Sequence, residues 1–209
     1  MFDNLLRPVK EVLFSSTAKY VPKSITPNQI TLLSGVFGLA SAVAAFYMSF
    51  NISLLLWVIN RILDGLDGVV ARINNNKTEF GGLLDLYVDF CVYCAVPIGI
   101  ICSEMNVGRA LTLFDIYAVI TLGTLLSSYM VNGVSWMVLS AILESKVKTE
   151  KKFTTVHMPT GLIEGTETIV FYIVWLLVVP ISFASCVHLM LLFSLMVIYT
   201  SITRLYWAY

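Results

Sequence analysis

The sequence predicts an all-α integral membrane protein, with six transmembrane helices preceded by an N-terminal amphipathic interfacial helix. Three observations carry this reading. Of the 209 residues, 58% are hydrophobic and only 12% are charged, and the mean hydropathy is +0.85, outside the range of soluble globular domains. Six apolar stretches approach the roughly 20 residues needed to cross the hydrocarbon of a bilayer. Lys and Arg gather on alternate connections, the pattern expected of cytosolic loops.

The N-terminal arm, residues 1–29, places Phe2, Leu5, Leu6, Val9, Val12 and Leu13 at helical spacing, with Asp3, Asn4, Arg7, Lys10 and Glu11 opposite. That is the pattern of a helix lying in the membrane surface. Arg7, Lys10, Lys19 and Lys23 ahead of an apolar run, and the small residues at 40–45, superficially suggest a cleavable signal. The charged region is too long and too regularly patterned for one. Pro22 and Pro27 separate the arm from the first span, for which Thr26 or Asn28 is the expected N-cap.

The remainder, residues 30–209, reads as one membrane domain with spans at roughly 30–50, 52–71, 81–103, 111–142, 161–180 and 182–207. Basic residues orient it. The arm carries four, the 72–80 loop has Arg72 and Lys77, and the 144–160 loop has Lys146, Lys148, Lys151 and Lys152. The opposite connections hold only Arg109, so both termini and these two loops are expected on the cytosolic side. Arg204 near the C-terminus agrees. A formal net charge of zero leaves no basic face for a nucleic-acid partner. Cys91, Cys94, Cys102 and Cys186 all fall in apolar segments, where thiols serve as small packing residues rather than as a redox or metal pair.

Chemistry concentrates between spans two and three. There the chain reads Asp64-Gly-Leu-Asp67-Gly68-Val-Val-Ala71-Arg72, eight residues, then Gly81-Gly-Leu-Leu-Asp85-Leu-Tyr-Val-Asp89. A charged side chain at a bilayer centre costs roughly 2.5–3.5 kcal/mol, so four unpaired carboxylates would cost on the order of 10 kcal/mol. Residues three or four apart share a helix face. Two antiparallel helices therefore present two carboxylates each, at the cytosolic end of one span and the start of the next. Internal ion pairing and glycine-mediated packing would explain any single residue here. The whole set exceeds that explanation, because Arg72 and Arg61 are the only nearby fixed cations for four acids. Mg2+ or Mn2+ takes oxygen ligands, keeps several waters and combines carboxylates with phosphates. Four carboxylates suit one or two open sites whose vacant positions a diphosphate would fill. Gly65, Gly68, Ala71, Gly81 and Gly82 allow close approach of a ligand or of neighbouring backbone, and Arg72 can meet phosphate oxygens.

The run Asp64-x-x-Asp67-Gly68-x-x-Ala71-Arg72, eight residues, Gly81-x-x-x-Asp85-x-x-x-Asp89 resembles, without a departure, the signature of the CDP-alcohol phosphatidyltransferases. Thr26-Pro27-Asn28-Gln29-Ile30-Thr31 also looks like that family's entry to its first span. The segment Gly161-Leu-Ile-Glu-Gly-Thr-Glu-Thr looks like that of a little-described bacterial branch. The resemblance implies a six-helix fold and transfer of a phosphatidyl or similar group from a CDP-alcohol to a second alcohol, with release of CMP. It implies two Mg2+ or Mn2+ ions, with Asp64, Asp67 and Asp85 binding metal that bridges the CDP diphosphate. Asp89 would help hold a second ion and act as general base. Gly68 and Ala71 would make room for the nucleotide, and Gly81 would keep the third span close to it. Among donors, the short chain resembles members that use CDP-diacylglycerol, and homodimers are usual among relatives.

Outside this run the signals are weaker. Glu164 and Glu167, with Lys152 in reach, form either a pocket for the acceptor alcohol or an acidic first turn favoured by the helix dipole. Acids there fit a neutral polyol or an amino alcohol better than a phosphorylated acceptor, although Arg204 is also placed to reach in. Asp115 is expected at the interface, His157 and His188 lack partners at ligand spacing, and Trp57, Trp136, Trp175 and Trp207 read as lipid-facing or belt residues. Two readings of other classes remain. A divalent-cation transporter would use the acids as a transport site, though such sites usually lie near the midplane between repeated halves. A catalytically idle membrane subunit would bind CDP-lipid without turning it over.

Overall fold

The computed structural model describes residues 14, 18, 20–22, 24–105, 110–150 and 161–208, with side chains to 144 in the fourth helix. Within them lie six helices and no strand: α1 (Pro27–Phe46), α2 (Phe50–Ile73), α3 (Glu79–Met105), α4 (Leu113–Glu150), α5 (Gly165–Val178) and α6 (Phe183–Ala208). Most of the N-terminal arm, Arg109, Lys151, Lys152 and His157 lie outside the described residues.

α1 begins as the sequence suggests. Thr26 caps it and Gln29 reaches back, so that Gln29 N donates to Thr26 Oγ1 and Thr26 N donates to Gln29 Oε1. Its inward face is small: Gly35, Gly38, Ser41, Ala42 and Ala45 are buried. Leu32, Val36, Leu39 and Val43 project outward on the other face, exposed as expected of side chains that meet lipid. Small residues let backbones meet. A Cβ built on Gly99 of α3 would lie 2.3 Å from the Ala42 carbonyl oxygen.

Buried polar side chains tie α1 to α2. Ser41 Oγ and Ser53 Oγ each donate to the other's backbone carbonyl at 2.8 Å, and Asn60 Nδ2 donates to both the carbonyl and the hydroxyl of Ser34 at 2.8 Å. The α2–α3 turn passes through Asn75 at φ 51°, the left-handed region that Asn tolerates best among residues with a side chain. Thr78 then accepts from Gly81 N at 2.9 Å to start α3.

Among the described residues four helices are long and apolar enough to cross a membrane: Pro27–Phe46, Glu79–Met105, Leu113–Glu144 and Phe183–Ala208. α2 has the length, at 24 residues, but carries Asn60, Arg61, Asp64, Asp67 and Arg72. α5 is shorter than the expected span at 161–180. At 14 residues it covers about 21 Å, against roughly 30 Å of hydrocarbon. Its start is set by a reciprocal cap between Glu164 and Glu167, and residues 161–164 instead lie on α6, with Ile163 N donating to Thr200 Oγ1 at 3.1 Å.

Two expectations are corrected by packing. Trp57 and Trp175 are fully buried rather than lipid-facing, because they complete an aromatic core: Trp57 stacks on Tyr172 at 4.4 Å and Trp175 meets Phe193 at 5.2 Å. Trp136 and Trp207 are partly exposed at 44% and 48%. Asp115 is 2% exposed rather than interfacial, because it accepts from Thr112 N and Oγ1 at 2.6 and 2.7 Å and so caps the start of α4. Pro97, inside α3, cannot donate to the carbonyl of Tyr93 one turn earlier. The Tyr172 hydroxyl donates to that carbonyl instead, and with its proton committed it accepts from Tyr129 at 2.8 Å.

Candidate active site

Helix spacing on α2 and α3 brings three of the four aspartates together. One carboxylate oxygen from each of Asp64, Asp85 and Asp89 lies within 4.8 Å of the others, and all three residues are half-buried. Among the described residues this is the one group of three or more His, Cys, Asp or Glu side chains placed to hold a metal ion. An all-oxygen, all-carboxylate set with open sides suits a hard divalent ion such as Mg2+ or Mn2+ rather than a soft one, so the residues fit such a group.

Asp67 is 5% exposed and accepts from the Thr31 hydroxyl of α1, which turns its carboxylate toward an adjoining cavity of about 250 Å³. That cavity is lined by Asp67, Gly68, Ala71, Arg72, Gly81 and Asp85, together with Asn28, Thr31 and the turn residues Asn76, Lys77 and Thr78. The structure thus gathers the six residues expected around the nucleotide apart from Asp64, which stands in the neighbouring trio. A Cβ on Gly68 would find only Arg72 Nη1, at 3.5 Å, so that face is open. Gly81 is tighter, with Asn28 Oδ1 and Thr78 Oγ1 at 3.0 Å from a built Cβ, consistent with close approach of α3 to the entry of α1.

Asp89 faces a second, larger cavity of about 460 Å³ between α3, α4, α5 and α6, whose lining includes Tyr93, Asn132, Glu164, Thr168 and Arg204. Glu164 borders it and Glu167 does not. Both also act at the start of α5: Gly161 N, in the segment before the helix, donates to Glu164 at 3.0 Å, and Glu164 N donates to Glu167 at 3.2 Å. Arg204 is 7% exposed and donates from Nη1 to Asn132 Oδ1 at 2.6 Å. Asp64 and Arg61 border a third cavity of about 260 Å³, otherwise formed by Phe14, Trp57, Val58, Ile62, Gly65, Ile169 and Ile173 and therefore mostly apolar.

Arg61 is the residue whose role the sequence left open. It is 8% exposed, bonds Asp89 Oδ1 through Nη2 at 2.8 Å and approaches Asp64 Oδ2 at 3.5 Å. Its three-residue spacing from Asp64 was visible in the chain, but the pairing with Asp89, 28 residues away, depends on how α2 packs on α3.

The fold and the site together define an integral membrane protein that concentrates carboxylates and three adjoining cavities at one end of its helical bundle. Residues 24–206 match the CDP-alcohol phosphatidyltransferase family, and the chain belongs to it. It is 30% identical over 184 residues to the inner membrane protein YnjF of Escherichia coli, covering 83% of this chain and 80% of that one. The fold is shared with the phosphatidylinositol phosphate synthase of Mycobacterium tuberculosis at 21% identity. The complex of that enzyme with manganese and citrate aligns with a TM-score of 0.68, covering 92% of this chain and 87% of the other. Its complex with CDP-DAG aligns with a TM-score of 0.67, covering 92% of both.

Proposed function

We propose that the protein transfers a phosphatidyl group from CDP-diacylglycerol to a small polar alcohol, releasing CMP, with Mg2+ or Mn2+ at the aspartate centre. One observation carries the reading: each member of the Asp64–Asp85–Asp89 trio opens onto a different cavity. A phosphorus atom undergoing this exchange carries three things in need of separate room: a nucleotide, an acyl glycerol and an incoming alcohol. The polar cavity beside Asp67, Gly68, Ala71, Arg72, Gly81 and Asp85 takes the cytidine diphosphate. The apolar cavity beside Asp64 takes the acyl glycerol, and the large cavity at Asp89 takes the acceptor.

Asp64, Asp67, Asp85 and Asp89 would hold the ions. Held there, such cations would offset charge on the phosphate oxygens and on the departing CMP, which is most of what a protein can contribute to phosphoryl transfer. Asp89 takes the proton of the acceptor hydroxyl as its oxygen bonds to the lipid-linked phosphorus, while the bond from that phosphorus to the CMP oxygen breaks. Arg72 meets the diphosphate from the turn side. In the acceptor cavity Glu164 and Arg204 present one acid and one base. That mixed lining favours an uncharged polyol or an acceptor carrying both charges over one bearing phosphate alone.

The excess of Lys and Arg on alternate connections supports a site at the cytosolic face of a bacterial inner membrane, and the homodimers usual among relatives support a dimeric working unit. The test is CMP release by purified protein given CDP-diacylglycerol, Mg2+ and a panel of polyols, amino alcohols and their phosphates. CMP release with at least one alcohol, lost in folded Asp89→Asn, is expected. CDP-lipid binding without turnover would identify an idle subunit instead. Metal flux into liposomes without nucleotide would identify a transporter.

A further inference from the structure

We propose that Arg61 is a positioning residue for this reaction: it fixes the Asp89 carboxylate at the junction of the acidic trio and the large cavity. The assignment rests on the transferase reading above. Its observation is the number and rigidity of Arg61's partners. Nε donates to Asn60 Oδ1 at 2.7 Å, Nη1 to the Tyr93 hydroxyl at 2.9 Å and Nη2 to Asp89 Oδ1 at 2.8 Å. The guanidinium lies over the Trp57 ring at 4.9 Å and the Tyr93 ring at 5.1 Å, contacts that favour a planar delocalised cation.

Two of these partners, Asn60 and Tyr93, are themselves held from outside the acidic cluster. Asn60 is fully buried, and its amide nitrogen is taken by Ser34 of α1, which fixes its carbonyl oxygen toward Arg61. Tyr93 is anchored where Pro97 frees its carbonyl for the Tyr172 hydroxyl, and Tyr172 stacks on Trp57 with ring planes 13° apart. A counter-ion needs only proximity. This guanidinium is instead fixed in one orientation by partners on α2 and α3 that α1 and α5 hold in turn, and it engages Oδ1 of Asp89, so the carboxylate is held rotationally while it faces the acceptor cavity. Asp64, at 3.5 Å, is steadied more loosely.

The experiment compares wild type with Arg61→Gln, Arg61→Lys and Tyr93→Phe in detergent, using the alcohol that supports CMP release. Turnover and KM are measured beside Mn2+ affinity by electron paramagnetic resonance. In Arg61→Gln, turnover is expected to fall about a hundredfold, the scale of a catalytic group displaced by about 1 Å. KM for CDP-diacylglycerol is expected to move less than about threefold. Mn2+ is expected to bind at least as tightly, because a cation beside its ligands has been removed. Arg61→Lys restores only part of the turnover, since an ammonium cannot span Asn60, Tyr93 and Asp89 together. Tyr93→Phe gives a smaller loss with Mn2+ affinity unchanged.

Turnover within about twofold of wild type in Arg61→Gln would overturn the proposal. So would loss of Mn2+ binding together with turnover in folded protein, which would make Arg61 a structural counter-ion. If Arg61→Gln does not fold, Arg61→Lys and Tyr93→Phe decide by the same criteria. Wild type that releases no CMP with any alcohol overturns the transferase reading itself, and this assignment with it.

Discussion

The close approach of Gly99 in α3 to the backbone of α1 gives a stability test with a built-in control. Replacing Gly99 by Ala puts a methyl 2.3 Å from the Ala42 carbonyl oxygen, 3.1 Å from its carbon and 3.4 Å from its Cα. Ordinary contact begins at about 3.5 Å, so the oxygen is about 1.2 Å too close, and because it belongs to helix backbone it cannot rotate away. α1 and α3 must part, at the roughly 1–3 kcal/mol typical of an overpacked core. The control is Gly123→Ala in α4, where a built Cβ meets nothing within 4 Å. Both substitutions gain the same intrinsic helix preference of Ala over Gly, about 1 kcal/mol, so the difference between them isolates the clash. Unfolding of each variant in detergent micelles is expected to show Gly99→Ala about 1–3 kcal/mol less stable than Gly123→Ala. Gly99 lies about 15 Å along α3 from Asp89, so turnover of the folded fraction should persist. Equal stabilities would refute the claim that α1 and α3 are in backbone contact at this point.

Other outcomes follow from the site. Thr31→Val removes the hydroxyl that donates to buried Asp67, and should cost about 1.5–3 kcal/mol and weaken CDP binding in a titration; unchanged values for both would contradict the pairing. Gly68→Val fills the open wall of the 250 Å³ cavity and should lower CDP affinity about tenfold or more, about 1.4 kcal/mol, with thermal stability preserved. Arg204→Met should raise the acceptor's KM about tenfold or more while leaving that of CDP-diacylglycerol in place; the reverse pattern would move the acceptor elsewhere. Chelation should abolish CMP release and added Mn2+ should restore it.

How much was legible in the chain depended on the range of the interaction. Asp64 with Asp67, and Asp85 with Asp89, are governed by the helical repeat, so their shared faces could be read directly, as could the Thr26–Gln29 cap. The trio of Asp64, Asp85 and Asp89, with Asp67 turned to Thr31, arises from the packing of α1, α2 and α3. No local pattern encodes it. Trp175 looks like a belt residue because hydropathy is blind to which side of a helix faces lipid when every side is apolar, whereas Trp57 shares a helix face with Asn60, Arg61 and Asp64, a polar stripe that marks it as inward. α5 starts later than the span expected at 161–180 because Glu164 and Glu167 cap it after residue 161, and acids at those two positions are equally consistent with a binding pocket, so the residues alone do not choose between the two. Pro97 carries a readable signal: a proline inside a span leaves a carbonyl in search of a donor, and Tyr172 supplies it.

The most direct test is a structure of the protein with manganese and cytidine diphosphate. Anomalous manganese signal within bonding distance of Asp64, Asp85 and Asp89 oxygens, with the diphosphate beside Arg72 and Gly68, is the result the account requires. Manganese bound elsewhere, with those three carboxylates still clustered around Arg61 alone, would contradict it.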